Sequence, residues 1–198
     1  MPDVSPASSF AIDVPAALLT RARAGDAEAF EQLYRAFERP VFTLALRLTG
    51  RREEAQDVLQ ETMLKLFDRV AEFRGDSPFW GWLRQIAVNE ALMQLRRRGR
   101  LSAESQFDEA DFADASLLLP PRAADAAILG RAMEQLPGAT RSVLWLFHAE
   151  GYTHEEIAVA MGKSLSFSKS QLARGTRRLR SLLHLEPEAA HDGVRVHG

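Results

Sequence analysis

The sequence predicts an all-α chain of two small helical domains joined by an acidic linker, and three observations carry that expectation. Apolar residues recur at spacings of three and four through two long stretches, and no run alternates with period two. Gly, Pro, Asp and Ser punctuate each stretch at intervals that suit helices of ordinary length. Charge is segregated, with an arginine cluster closing each stretch and an acidic segment between them.

The first dozen residues lack apolar periodicity, so residues 1–14 read as a loose lead. A helical bundle is expected over 15–100. Phe30, Leu33, Tyr34 and Phe37 mark one of its helices, and Val58, Leu59, Met63, Leu66, Phe67 and Val70 another. Breaks are expected at Gly25 and Asp26, near Pro40, at Gly50 and at the turn Gly75 to Pro78. In that turn Asp76 or Ser77 can cap a helix that has Pro78 in its first turn. About four helices result. Residues 101–124 read as the linker: from Glu104 to Asp125 only Arg122 is basic, and Pro120 and Pro121 cannot continue a helix. Residues 125–185 give about four more helices, with stops at Leu136-Pro137-Gly138, Gly151 and Gly162. Residues 186–198 form a tail without apolar periodicity.

Composition narrows the function. The 198 residues are 46% hydrophobic and 26% charged, a balance that buries real cores. No apolar run is long enough for a membrane span and no secretory signal opens the chain, so it reads as cytosolic, with no membrane insertion. Cysteine is absent, which excludes disulfides, thiol catalysis and thiolate metal sites. The five histidines are scattered, without metal-ligand spacing, and no cofactor is expected. A net charge of −2 gives no hint of nucleic acid, but the arginine clusters Arg96, Arg97, Arg98, Arg100 and Arg174, Arg177, Arg178, Arg180 do.

From Thr153 the chain reads as a helix-turn-helix. Thr153 with Glu156 makes a capping-box pattern, and Ile157, Ala158 and Met161 give the short first helix one apolar face. Gly162 supplies a left-handed stop, and Ser164 or Ser166 caps the second helix. In this motif the second helix enters the major groove. Leu165, Leu172, Leu179 and Leu182/Leu183 form its expected buried stripe, with Ser168 on that stripe as an oddity. The opposite face carries Phe167, Lys169, Ser170, Gln171, Arg174, Arg177 and Arg178. Gln171 could read adenine and Arg174 guanine, whereas Lys169, Arg177 and Arg178 suit phosphates; Ser166 stands beside them at the helix start. An αα-corner with a solvated basic face is the plainer reading.

The block from Glu54 to Arg98 resembles domain two of bacterial sigma factors of the extracytoplasmic-function (ECF) group, in the sigma-70 family. The resemblance rests on Asp57 and Gln60-Glu61, the turn Phe73 to Asp76, the Phe-x-x-Trp-Leu core from Phe79 to Leu83, Asn89 and the closing Leu-Arg-Arg-Arg. The stretch from Leu136 to Gly162, leading into the helix-turn-helix, is similar to the family's domain four. This implies a non-catalytic specificity subunit of RNA polymerase that binds the core enzyme, directs it to promoters and helps open the duplex. The implied partners are core RNA polymerase, through its largest-subunit clamp helices, and promoter DNA, with an anti-sigma factor left open as a third.

The family positions imply roles. Asp57, Gln60, Glu61 and Leu64 would face the clamp; Asp57 and Glu61, four apart, share one helix face. Arg74, Gly75, Asp76, Ser77, Pro78, Trp80, Arg84, Gln85, Asn89, Arg96, Arg97 and Arg98 would serve the minus-ten element and melting. Trp80 is the expected exposed ring and Trp82 the expected core ring, with burial of all three aromatics from Phe79 to Trp82 as the alternative. Ser166, Phe167, Lys169, Ser170, Gln171, Arg174 and Arg178 would read the minus-thirty-five element. Gln56 stands where the family is usually acidic, and Phe167, Ser168 and Gln171 replace commoner residues, so promoter preference cannot be copied from a relative. A stand-alone helix-turn-helix regulator explains the second half but leaves the Glu54 to Arg98 block without a purpose. An enzyme is disfavoured because no nucleophile and base set, phosphate loop or metal spacing is present.

Overall fold

In the computed structural model, residues 12–99 and 123–183 are described, and all regular structure among them is helical. The lead to residue 11, most of the linker, Arg100 and the tail lie outside the described residues. The first group of helices is α1 (Ala16–Arg23), α2 (Ala27–Thr49), α3 (Arg52–Arg69) and α4 (Phe79–Arg97). A single 3₁₀ turn, Val70–Glu72, follows α3. The second group is α5 (Ala123–Glu134), α6 (Gly138–His148), α7 (His154–Met161) and α8 (Leu165–Leu182).

Helix ends follow local chemistry. Asp26 accepts from the backbone N–H groups of Glu28 and Ala29 and so starts α2. Thr153 and Glu156 form the complete capping box of α7, Gly162 ends that helix at φ +63°, and Ser164 starts α8 by accepting from Phe167 N–H at 3.1 Å. Two expectations need correction. Pro78 is itself the residue before α4, and neither Asp76 nor Ser77 caps it with a side chain. Pro40 does not break α2, which runs through it. A proline inside a helix costs about 3 kcal/mol. Here Pro40 belongs to a continuous buried face with Leu33, Phe37, Val41, Leu44 and Leu48, whose burial is worth more.

α2, α3 and α4 pack mutually, around Phe37, Leu48, Leu66, Leu83, Leu92 and Leu95. In the second group α6 and α7 pack on α8 around Leu146, Ile157 and Met161. Gly175 brings α8 close to α6, because a Cβ there would lie 2.7 Å from Leu144 and Thr140 side-chain carbons. The two groups also touch: α6 lies on α2, and α7 on α4.

Candidate functional site

On α3 the residues turned to solvent recur at helical spacing: Gln56, Asp57, Gln60, Glu61, Leu64 and Phe67. Leu64 and Phe67 are 53% and 57% exposed, unusual for large apolar side chains. Phe67 meets Phe30 of α2 at 4.5 Å between ring centroids, and with Tyr34 these side chains line a groove of about 550 Å³. Gln56, Gln60 and Leu64 are on its wall. Asp57 sits outside it and accepts from Gln94 Nε2 of α4 at 3.1 Å. All four residues expected to face the polymerase are therefore exposed on one helix face. The aromatic wall of Phe30, Tyr34 and Phe67 was missed, because their helical spacing reads as core; the excess of apolar positions over what one helix stripe can bury was the available signal.

The turn before α4 presents Arg74, Gly75, Asp76, Ser77 and Pro78 to solvent. Trp80 does not join them. It is 4% exposed and lies parallel to Phe37 with centroids 5.9 Å apart. The inward phase of α4 runs Phe79, Trp80, Leu83, Ala87, Ala91, Leu95, and a ring at position 80 falls on that stripe. Trp82, expected in the core, is only half-buried, against Phe73 and Phe79.

Further along α4 the expected DNA-facing groups are engaged by the second helical group. Arg84 donates to the Glu150 carbonyl at 2.9 Å and lies 3.4 Å from the Glu150 carboxylate, over the ring of Tyr152. Gln85 Oε1 accepts from the Tyr152 hydroxyl at 3.0 Å. Burial pushes that hydroxyl up to about 12, with the Arg84 cation opposing the rise and Glu150 and Glu156 adding to it. Arg96 donates to the Ala160 carbonyl of α7. Asn89 and Arg97 are exposed, and Arg98 lies 3.5 Å from the buried carboxylate of Glu54.

On α8 the buried phase is Ser168, Gln171, Leu172, Gly175, Thr176 and Leu179. Gln171 is thus not on the groove-facing side: it is 2% exposed and its Oε1 accepts from Thr140 Oγ1 of α6 at 2.6 Å. Leu165, expected on the buried stripe, is 38% exposed. A seven-residue repeat drifts on a straight helix, and the close approach at Gly175 turns the flank bearing Gln171 inward. Ser168 is buried as expected, with its hydroxyl 2.9 Å from His154 Nδ1. Ser166, Lys169, Arg177 and Arg178 are exposed. Phe167 and Ser170 are half-buried, and Arg174 lies back along its own helix, donating to the Ser170 carbonyl and hydroxyl. Burial, then the Lys169 cation, lowers the His154 ring below the ordinary histidine value, with Glu155 opposing; burial alone lowers His148.

Comparison with known proteins places both halves. The sigma-70 region 2 family matches residues 33–101 and the sigma-70 region 4 family residues 126–179. The RNA polymerase sigma-H factor of Pseudomonas aeruginosa is 33% identical over 168 residues, covering 79% of this chain and 87% of that one. The ECF RNA polymerase sigma factor SigM of Mycobacterium tuberculosis is 34% identical over 169 residues, 85% of this chain and 84% of that one. The ECF RNA polymerase sigma-E factor of Escherichia coli is 31% identical over 170 residues, 79% and 87% of the two chains. Among solved structures, the sigma factor RpoE of Bartonella quintana, in complex with the anti-sigma factor NepR, is alike in fold. Its TM-score is 0.52 at 23% identity, over 81% of this chain and 100% of that one.

Proposed function

The chain belongs to the ECF RNA polymerase sigma factors, and on that premise we propose that it is a non-catalytic specificity subunit that binds core polymerase in the cytoplasm, selects promoters and helps open them. The observation that carries this reading is the succession of the two sigma-70 regions, in order, on two helical groups, the first of which leaves an acidic and apolar helix face uncovered. A stand-alone regulator has no use for that face.

The division of labour follows from chemistry. Asp57, Gln60, Glu61 and Leu64 form the polymerase face, extended by the groove of Phe30, Tyr34 and Phe67. Carboxylates beside apolar side chains suit a basic helical partner, the charges steering approach and the groove supplying apolar contact. Arg74 to Pro78, Arg84, Gln85, Asn89, Arg96, Arg97 and Arg98 serve the minus-ten region. The cations hold phosphates, and half-buried Trp82 replaces buried Trp80 as the partly exposed ring after the turn. Ser166, Phe167, Lys169, Ser170, Arg174, Arg177 and Arg178 serve the minus-thirty-five element, and Gln171 is withdrawn from it as a packing residue. An anti-sigma factor is a fitting further partner, since RpoE of Bartonella quintana has one. The test is reconstituted transcription with core polymerase on a genomic fragment library. Start sites that require this chain are expected, and their absence with active core would overturn the reading.

A further inference from the structure

The turn 74–78 is exposed along its whole length, so its aim is set by its two ends. The exit is held by α4, whose Gly81 and Trp82 N–H groups donate to the Pro78 carbonyl at 2.9 and 3.4 Å. The entry is buried Phe73, its ring edge-on to Phe79 at 5.1 Å between centroids and 5.5 Å from Trp82. Phe73 N–H donates to the Val70 carbonyl at 3.3 Å and closes the 3₁₀ turn. The Phe73 carbonyl lies beyond that last bond, on extended backbone, and needs a partner from elsewhere.

That partner comes from α1, where Arg23 Nη2 donates to the Phe73 carbonyl across 50 residues of sequence. Buried Leu19 and Ala22 seat α1 on α2 and on the 3₁₀ turn. Arg21 and Arg23 flank Ala22 about 200° apart around the helix, so they leave it on opposite sides. Arg21 reaches forward to α2, pairing with Asp26 at 2.6 Å and Glu28 at 3.0 Å. Arg23 reaches the turn instead.

Gly75, near the tip, takes φ +84°, and nothing lies within 4 Å of where its Cβ would stand, so the tip has no packing of its own to hold it. A rotation of about 20° at the Phe73 peptide moves a tip up to about 10 Å of chain away by about 3 Å. A base received there tolerates little of that, since a misplacement of about 1 Å can cost about a hundredfold in rate. A guanidinium keeps its charge and its planar fork of donors, which suits it to fixing one carbonyl.

We infer that Arg23 is a positioning residue for promoter opening: it fixes the carbonyl at which the turn leaves the core, and through it α1 sets where the turn meets an unstacked base. The inference rests on the proposed role of the turn at the minus-ten region.

The test uses full-length chains assembled with core polymerase: the parent, Arg23→Ala, Arg23→Lys and Arg21→Ala, with circular dichroism to confirm folding. Each is assayed on one dependent promoter, as intact duplex and as a template pre-melted across the minus-ten region. Arg23→Ala should bind core as the parent does, lose about fivefold or more of its initiation rate on duplex, and stay within about twofold of the parent on the bubble. Arg23→Lys, which keeps a cationic N–H donor, should recover most of the duplex rate. Arg21→Ala loosens the same helix from its other side without touching the turn, and should leave the duplex-to-bubble ratio unchanged. Arg23→Met, which keeps the apolar stem and removes only the donors, serves if alanine unfolds the chain. Equal losses on duplex and bubble, no loss on either, no recovery with lysine, or the same change of ratio in Arg21→Ala would each overturn the positioning role. Initiation by the parent reports separately on the functional reading: if the parent directs none, it is that reading which fails.

Discussion

Helices α3 and α4 are neighbours in one bundle, joined by the Gln94 to Asp57 bond, yet their outer faces are in opposite states. The face of α3 is bare, with acidic and apolar side chains in solvent beside a groove. The face of α4 carries the cations, and three of its polar side chains are occupied by α7 and the loop before it. One face is thus left unpartnered and the other is partly engaged within the chain, although Gln85, Asn89, Arg96 and Arg97 remain exposed. On the proposed assignment, the α3 face is open to a protein partner, whereas Arg84, Gln85 and Arg96 of α4 already hold partners in the second helical group.

The sharpest way to separate the two sides of α4 is at Trp80. Trp80→Ala removes a buried ring stacked on Phe37 and should lower stability by about 3–5 kcal/mol. Denaturant unfolding checks this. The accompanying loss of promoter opening should be equal on duplex and pre-melted templates; rescue by the bubble would return Trp80 to the DNA side.

Asp57→Lys with Glu61→Lys tests the bare face of α3. Both side chains are exposed, so the fold should survive while binding to core polymerase weakens by about 2–5 kcal/mol, the cost of opposing a basic partner. Titration with labelled core enzyme, alongside circular dichroism, measures it. Undiminished binding by the folded double variant would break the contrast between α3 and α4.

Helix type and the glycine stops were legible in the sequence because periodicity and glycine punctuation are local properties, whereas the break expected near Pro40 was not there. Gly50, Gly162 and the capping box of Thr153 behave as read. Which face each helix buries was less legible. Trp80 and Trp82 are two residues apart, and a rotation of α4 set by Phe37, distant in sequence, exchanges their roles. Gln171 was read by residue type as a base reader, and only the small Gly175 opposite α6 reveals that it turns inward. Arg141 carried no signal at all: an arginine in an apolar helix becomes meaningful only when the end of α2 arrives beside it.

On α8, Gln171→Ala should therefore weaken folding of the second group by about 1–3 kcal/mol, through the unsatisfied Thr140 hydroxyl and a small cavity. Preference at randomised minus-thirty-five positions should not change. Lys169→Ala, at an exposed position, should do the reverse, leaving stability intact and lowering DNA affinity with a shallower salt slope. Altered base preference in Gln171→Ala without loss of stability would restore it to the groove.

The smallest effect concerns pH and the contacts of α7 with α4. His154 sits between α7 and α8, facing the Ser168 hydroxyl, the Phe147 ring, the Lys169 cation and the Glu155 carboxylate. His148 is shielded on α6. Both rings are held below the ordinary histidine value of about 6.5, so folding favours their neutral forms. Their contribution is fully present above that value and is lost as pH falls through the folded-state values. Between pH 8 and pH 5 the thermal midpoint of the second helical group should fall by less than about 4 °C, modest because His154 is partly solvated. His154→Gln, which keeps a polar partner for Ser168, should flatten part of that dependence. Because α7 carries contacts to α4, acidification should also loosen those contacts. The α3 groove contains neither histidine, so its affinity for core polymerase should be unchanged across the same range, apart from protonation of the partner itself. A parallel decline at both faces would mean that acid acts on the whole fold and not on the second helical group alone.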